Sequence, residues 1–205
     1  MKNVVRYLIE RLWRALAFAV IAIMAAVFGM GQAHAGFNVS KDIPAQAVPY
    51  LPVLKKQVRE VWPAMPTPEY FGALIEHESG CPAIKSMCWS PTARLKTSRE
   101  EGAGLGQLTK AYKADGSIRF DALAESRRLD PRGLNELRWD TVYQRPDLQM
   151  RVVILMTRQN WNRLAPLTAK ATDMSLQLKL TDVAYNAGVG RAMNDLRACS
   201  LQRGC

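Results

Sequence analysis

An uncharged stretch near the N-terminus decides which part of this chain is available to form a globular domain. No charged residue occurs from Ala15 to Met30, and four basic residues precede this run. A basic start, an apolar run of roughly 16 residues and a small-residue segment ending at Ala35 are typical of a secretory signal. We therefore expect residues 1–35 to be a signal peptide, cleaved after Ala35, and the rest to be periplasmic or exported.

The same stretch permits a second interpretation. Residues 8–30 are long enough to cross a bilayer, which takes about 20 residues, if Glu10, Arg11 and Arg14 stay at the membrane surface. Residues 1–35 would then be an uncleaved anchor, and the domain would be tethered to the inner membrane facing the periplasm. In both interpretations the folded part begins after residue 35.

The part that follows residue 35 is basic and has the size of one domain. The chain has 205 residues, with 28 Lys and Arg against 18 Asp and Glu. Removing residues 1–35 leaves 170 residues with 24 bases and 17 acids, a net charge of +7. A chain of that length buries about 70% of its unfolded surface, so it can fold around one core. The basic excess follows no nucleic-acid-reading motif, so we expect no nucleic-acid partner and an attraction to anionic wall polymer or phospholipid.

Four cysteines lie after residue 35, and their even number in an oxidising compartment favours disulfides. Their spacing suggests two bridges, Cys81 to Cys88 and Cys199 to Cys205. The other two pairings stay open because connectivity cannot be deduced from sequence, and so do free buried thiols. A cross-pairing would join the C-terminal tail to the loop at Cys81.

Apolar residues recur at helical spacing along most of the remaining chain. A polar, proline-containing arm leads into the first helix, and residues 36–66 comprise this arm and helix. Glycines and prolines then interrupt residues 80–106, where we expect an irregular loop or a short hairpin. No run alternates apolar and polar residues as a strand would, so the predicted class is mainly α. Helices are predicted over five segments: 53–62, 68–79, 120–129, 146–164 and 173–187.

Two glutamates close the predicted helix over residues 68–79. Glu76 and Glu78 lie near its C-terminal end, where Leu74 and Ile75 provide apolar surroundings. Partial burial raises the pKa of a carboxyl, which lets it hold a proton near neutral pH and donate it to a leaving oxygen. Residues two apart on a helix face different directions, so one of the two should be solvated, and spacing does not say which.

Other chemistry is disfavoured around these acids. His77 and Glu78 begin like the zinc-binding H-E-x-x-H, but Cys81 takes the place of the second histidine and no further histidine follows residue 35. We therefore expect no metal site and no Ser-His-Asp hydrolase. A Cys-His peptidase would require a free thiol paired with His77.

Three segments resemble the lysozyme-like lytic transglycosylases of the soluble type. Residues 73–80, Ala-Leu-Ile-Glu-His-Glu-Ser-Gly, look like the Glu-Ser motif of that family. Residues 102–108, Gly-Ala-Gly-Leu-Gly-Gln-Leu, resemble its Gly-Leu-Met-Gln segment, with Gly106 where methionine is usual. Residues 184–188, Ala-Tyr-Asn-Ala-Gly, match its Ala-Tyr-Asn-Ala-Gly segment. The order is that of the family, and the resemblance covers roughly residues 67–193.

The resemblance implies a single lysozyme-like domain, of the kind seen in goose-type lysozymes and lytic transglycosylases, over residues 67–205. It implies no cofactor. In the family reaction one acid protonates the glycosidic oxygen between N-acetylmuramic acid and N-acetylglucosamine, then acts as base while the C6 hydroxyl attacks C1 to give a 1,6-anhydro product. The resemblance assigns Glu78 as catalytic residue and Ser79, Gln107, Tyr185 and Asn186 as substrate-binding residues.

Two alternatives to transglycosylation stay open. A hydrolytic, lysozyme-like muramidase would need a second carboxylate roughly 5–9.5 Å from the first. The residues considered for it are Glu76, Glu100, Glu101 and Asp115. A non-catalytic peptidoglycan-binding or scaffold protein would keep the fold without the chemistry. The expected partner is the peptidoglycan glycan strand, with a component of a secretion, conjugation, pilus or phage system as a possible second partner.

Overall fold

Helices form most of the part of the chain that the structure describes. The structure, a computed structural model, describes residues 43–81, 83–168 and 174–201, with the backbone alone at 198–201. Each of the five predicted helices is present with slightly different ends, and a sixth follows residue 188. The α-helices are α1 (Leu51–Val61), α2 (Tyr70–Glu78), α3 (Ala122–Leu129), α4 (Pro146–Thr168), α5 (Met174–Ala187) and α6 (Val189–Leu201).

A small antiparallel sheet is the main departure from the predicted class. Its strands β1 (Arg94–Lys96), β2 (Glu100–Ala103), β3 (Leu108–Tyr112) and β4 (Ile118–Asp121) lie side by side in chain order. The first two strands form the short hairpin expected within residues 80–106, whereas β3 and β4 are not predicted. The fold is a mixture of helices and a four-stranded sheet, so the prediction of a mainly helical protein is correct only in part.

The strands lack apolar alternation because they are only three to five residues long and carry charges on both faces of the sheet. Lys96 lies opposite Glu101, Glu101 opposite Lys110 and Lys110 opposite Asp121, so opposite charges alternate across the four strands. The Nζ of Lys96 is 3.9 Å from the Glu101 carboxylate, and that of Lys110 is 5.5 Å from the centre of the Trp139 ring. Such cross-strand pairs contribute roughly 0.2–1 kcal/mol each, which offsets the low β-propensity of the charged residues.

The core is built around α4, which is buried on several sides. Met150 and Val152–Ile154 are fully buried, although successive residues of a helix point in different directions. Arg151 between them is half-buried. At its other end, the Trp161 ring packs edge-on against Trp62 with centroids 5.6 Å apart. The Arg158 guanidinium donates a 2.7 Å hydrogen bond to the Val61 carbonyl and so ties α1 to α4.

One buried amide joins the sheet, the loop before β1 and α4. Gln149 is fully buried on α4, and its Oε1 accepts a 2.8 Å hydrogen bond from the Leu105 backbone N–H. Its Nε2 donates to the carbonyl of Val142 at 2.6 Å and to that of Pro91 at 2.9 Å. This single side chain therefore satisfies three backbone groups from three segments.

Replacing Gln149 with leucine should destabilise the fold strongly. The substitution keeps an apolar stem of similar length but leaves one backbone N–H and two carbonyls without their partner, and each buried unpaired group costs about 1–3 kcal/mol. We expect Gln149→Leu to lower the free energy of unfolding by about 3 kcal/mol or more in urea titrations. Gln144→Leu, at an exposed position, is the matched control, and it should change that free energy by less than about 0.5 kcal/mol.

The structure confirms one of the two predicted disulfides, Cys81 to Cys88. The second, Cys199 to Cys205, falls on side chains outside the described part of the chain. Residues 1–35, with the signal peptide or the tether over 8–30, lie outside it as well. Among the described helices, none combines the length and the apolar character needed to cross a bilayer.

Candidate active site

The candidate acid lies on the last residue of α2. Gly80 ends this helix in the left-handed conformation, with φ of +77°, while the N–H of Gly80 and that of Cys81 return to the carbonyls of His77 and Glu76. This is the Schellman arrangement, for which glycine is the favoured residue. It stops the helix directly after Glu78 and Ser79, as the position of Gly80 in the sequence predicts.

Glu78 is half-buried, unlike the exposed His77 beside it. Its Oε1 is buried and has no hydrogen-bond partner among the described residues. Burial raises the pKa of this carboxyl above its usual value, and the negative charge of Asp182 raises it further. The charge of His77 and a hydrogen bond from the Asn186 side chain act in the opposite direction. The net shift is upward, which is the direction that a general acid requires.

Ser79 lies behind the acid and is fully buried. Its Oγ accepts a 2.9 Å hydrogen bond from the Trp89 backbone N–H and lies 3.6 Å from the Sγ of Cys81. Trp89 directly follows Cys88, which forms the disulfide with Cys81. Its side chain is buried, and its φ is +51°. In this structure the Ser79 hydroxyl therefore joins the end of α2 to the disulfide loop.

Gln107 stands at the end of a tight turn between β2 and β3. The turn closes through the Gln107 N–H and its Nε2, which both donate to the Gly104 carbonyl at 3.2 and 3.1 Å. Gln107 has φ of +44°, and its Oε1 is buried with no partner among the described residues. An unusual backbone conformation together with an unpaired amide oxygen is typical of a residue held ready for a ligand.

Gly106 brings this turn against α5. Its carbonyl accepts a 2.8 Å hydrogen bond from the Tyr185 hydroxyl. A Cβ at this position would lie 2.2 Å from Val153 Cγ2 and 2.9 Å from Tyr185 Oη, so no side chain fits. Close packing of the turn on α4 and α5 thus explains why a glycine occupies this position.

Tyr185 and Asn186 lie near the C-terminal end of α5, close to Glu78. Burial raises the pKa of Tyr185 well above its usual value, and the charge of Glu78 raises it further, so the phenol keeps the proton it donates to Gly106. Asn186 is exposed; its Nδ2 donates a 3.2 Å hydrogen bond to the Asp182 carbonyl, and its amide lowers the pKa of the neighbouring Glu78 carboxyl. The structure therefore brings together Glu78, Gln107, Tyr185 and Asn186, which the sequence predicted as site residues.

Two residues at this site are absent from the predicted set. The Tyr70 hydroxyl, on the first turn of α2, donates a 3.4 Å hydrogen bond to Asp182 on α5. Burial and the Asp182 charge together raise the Tyr70 pKa. Asp182 precedes Tyr185 and Asn186 by three and four positions, the spacing that puts residues on one helix face, and this is the signal by which it could have been found.

An open cleft of about 600 Å³ lies beside this cluster. The turn at Gln107, β3 and β4 form one wall, one stripe of α4 forms another, and the segment from Tyr185 to Gly188 lines the end of α5. Asn186 belongs to both the cleft and the Glu78 cluster. Gln107 and Tyr185 line the cleft as well, so the cleft lies next to the Glu78 cluster.

The acids considered as a second carboxylate are dispersed. Glu100 lines the cleft, whereas Glu101 is on the opposite face of the sheet and Asp115 is exposed in the turn between β3 and β4. Asp182 is the acid whose charge acts on Glu78. Within the described residues, no three His, Cys, Asp or Glu side chains come together as metal ligands would.

Comparisons of the chain with protein-family models, with curated proteins and with solved structures found no match. The geometry of the site and the three segments that supply its residues are therefore what point to a function.

Proposed function

We propose that this chain is a peptidoglycan lytic transglycosylase with a lysozyme-like fold, and that Glu78 is its one acid and base. The observation that carries the proposal is the meeting of three distant segments at one carboxyl. The end of α2 supplies Glu78, the turn after β2 supplies Gln107, and the end of α5 supplies Tyr185 and Asn186. Helices around a small antiparallel sheet with a cleft alongside support the lysozyme-like interpretation.

The proposed reaction uses a single proton carrier. With its pKa raised by burial, Glu78 donates a proton to the oxygen between N-acetylmuramic acid and N-acetylglucosamine, and the bond from that oxygen to C1 breaks. The resulting carboxylate takes the proton of the C6 hydroxyl as O6 attacks C1 of the same sugar. The products are a 1,6-anhydro end and a free hydroxyl on the leaving sugar, and Glu78 is protonated again.

The other residues would hold the sugar and the acid in place. The Asn186 amide can bind the Glu78 carboxylate that forms after proton transfer, which stabilises the charged state between the two steps. Gln107 lines the cleft, where its side-chain amide can turn to bind a hydroxyl or amide group of the substrate. Tyr185 acts indirectly, because its hydroxyl is occupied by Gly106 and holds the turn in place.

In this proposal the chain acts outside the cytoplasmic membrane, where peptidoglycan is found. The Cys81–Cys88 disulfide supports that location because disulfides persist in oxidising compartments. Association with a secretion, conjugation or pilus system stays a prediction.

The experiment that tests the function is dye release from purified, dye-labelled peptidoglycan by the purified chain. We expect soluble labelled fragments to accumulate in proportion to the amount of protein. If the chain sediments with peptidoglycan but releases no fragments, the enzymatic proposal fails and the non-catalytic binding protein becomes the better account.

The electrostatic effect of Asp182 predicts a shift in the pH dependence of the reaction. The acid must be protonated, so kcat/KM should fall as the pH rises through the Glu78 pKa. Asp182 raises that pKa, and Asp182→Asn removes the charge while keeping an oxygen for the Tyr70 hydroxyl. We expect the alkaline limb of the kcat/KM profile to move to lower pH in this variant. Asp140→Asn, at an exposed position outside the site, should leave the limb in place.

A further inference from the structure

Two arginines line the cleft without a partner among the described side chains. Arg119 on β4 and Arg163 on α4 are both exposed, and neither guanidinium group makes a hydrogen bond or ion pair with another described residue. The mechanism proposed above uses neither of them. A pair of unpaired guanidinium groups in one cleft is suited to binding carboxylates, because each presents a planar set of donors.

A β-bulge turns Arg119 toward the cleft. Ala111 pairs with Phe120 and Tyr112 with Ile118, so Arg119 is the extra residue between two successive pairs. In a regular strand, neighbouring residues face opposite sides of the sheet, whereas here Arg119 and Phe120 line the same cleft. Bulges of this kind redirect side chains and are common next to active sites.

Arg163 continues a polar stripe along α4. The cleft-lining residues of this helix are Met156, Gln159, Asn160 and Arg163, which have the spacing of one helical face. Three of the four are polar, although most of the preceding part of α4 is buried among apolar residues. This face of α4 is therefore suited to a polar ligand.

The acidic residues of the cleft leave the arginines in excess. Glu125 is held by Arg128, with 2.8 Å between Oε1 and Nη1, so its charge is already balanced. Glu100 is the other acid of the lining. Two unpaired guanidinium groups and one carboxylate match a ligand that carries several carboxylates and one ammonium group, as the peptide on peptidoglycan does.

We propose that Arg119 and Arg163 form a subsite for the carboxylates of the peptide attached to the glycan, so that the chain prefers peptide-bearing strands to bare glycan. This inference rests on the proposed function, since it names the form of the substrate that the same cleft takes. In this proposal Gln107 and Asn186 contact the sugar, and the arginines contact the peptide.

The test compares kcat/KM on peptide-bearing glycan strands with kcat/KM on the same strands stripped of peptide by an amidase. We expect a wild-type ratio of about ten, as two screened charge-assisted contacts would give, and a ratio near one for Arg119→Gln/Arg163→Gln. Arg59→Gln removes the same charge from an exposed position on α1 and should keep the wild-type ratio. A wild-type ratio near one, or an unchanged ratio in the double variant, overturns the subsite.

A binding measurement separates failure of the subsite from failure of the proposed function. The probe is an N-acetylmuramoyl tripeptide ending in diaminopimelate, compared with the same compound with its carboxyls amidated. We expect tighter binding of the free acid to the wild type, and no difference between the two in the double variant. If this pattern holds but neither glycan is cleaved, the lytic proposal fails and the subsite stands. If glycan is cleaved but the wild type does not distinguish the two probes, the subsite alone is wrong.

Discussion

Glu78→Gln is expected to lower the rate of fragment release from peptidoglycan by about 10³-fold. The amide keeps the size and most of the contacts of the carboxyl, but it has no proton to donate to the glycosidic oxygen and cannot accept one from the C6 hydroxyl. Both steps of the proposed reaction therefore lose their proton carrier, whereas sedimentation with peptidoglycan should be retained. Fragment release is measured at several protein concentrations so that a residual rate is detectable.

Glu76→Gln is the matched control, because Glu76 has the same side chain two positions earlier on the same helix and therefore faces another direction. It should retain fragment release to within a few fold. Equal losses in the two variants would contradict the assignment of Glu78.

Stability supplies a second readout of the same carboxyl. Folding raises the pKa of the Glu78 carboxyl, so the fold favours its neutral form over its charged form. The free energy of unfolding of the wild type therefore falls as the pH rises through the pKa of the folded state. Glu78→Gln should therefore melt at a higher temperature than the wild type near neutral pH. The difference should shrink at acid pH, where the wild-type carboxyl is neutral in both the folded and the unfolded state.

Gly106→Met is expected to cost about 3 kcal/mol of folding free energy and to abolish most of the activity. A Cβ at this position would lie 2.2 Å from Val153 on the buried α4. The turn from Gly104 to Gln107 must then move, since α4 cannot, and overpacking of this kind costs about 1–3 kcal/mol or more. Movement of the turn also breaks the bond from Tyr185 to the Gly106 carbonyl. Urea unfolding and dye release measure the two effects.

Gly72→Ala is the control for a glycine with room around it. A Cβ at Gly72 on α2 would meet nothing within 4 Å, so the variant should gain about 0.5–1 kcal/mol from the better helix propensity of alanine. Unchanged stability in Gly106→Met would show that the turn does not pack closely against Val153 and Tyr185.

The fold was predictable to the extent that local spacing determines it. Helical spacing of apolar residues predicts α1, α3, α4 and α5, whereas the capping signals that flank residues 68–79 predict α2. The sheet was not predictable in the same way, because the row from Lys96 to Asp121 is stabilised by charges on neighbouring strands, which a local pattern does not reveal. Helix α6 begins directly after Gly188. A glycine at the end of a helical segment indicates that the helix stops there, so the sequence does not predict α6.

The candidate site was predictable where a segment carries its own signal. Glu78, Gln107, Tyr185 and Asn186 were found from three short motifs, and the structure brings them together. The contact between Tyr70 and Asp182 was not found, since it depends on how α2 packs near α5. The burial of Ser79 is likewise a tertiary effect, because it follows from the position of the disulfide loop and Trp89.

One carboxyl, Glu78, is proposed to cleave the glycan without consuming water. The most direct test is mass spectrometry of the fragments released from purified peptidoglycan by the wild type and by Glu78→Gln. We predict wild-type fragments lighter than the hydrolytic products by one water, which marks 1,6-anhydro ends, and almost none from the variant. Fragments with reducing ends, or anhydro fragments released equally by Glu78→Gln, would contradict this mechanism.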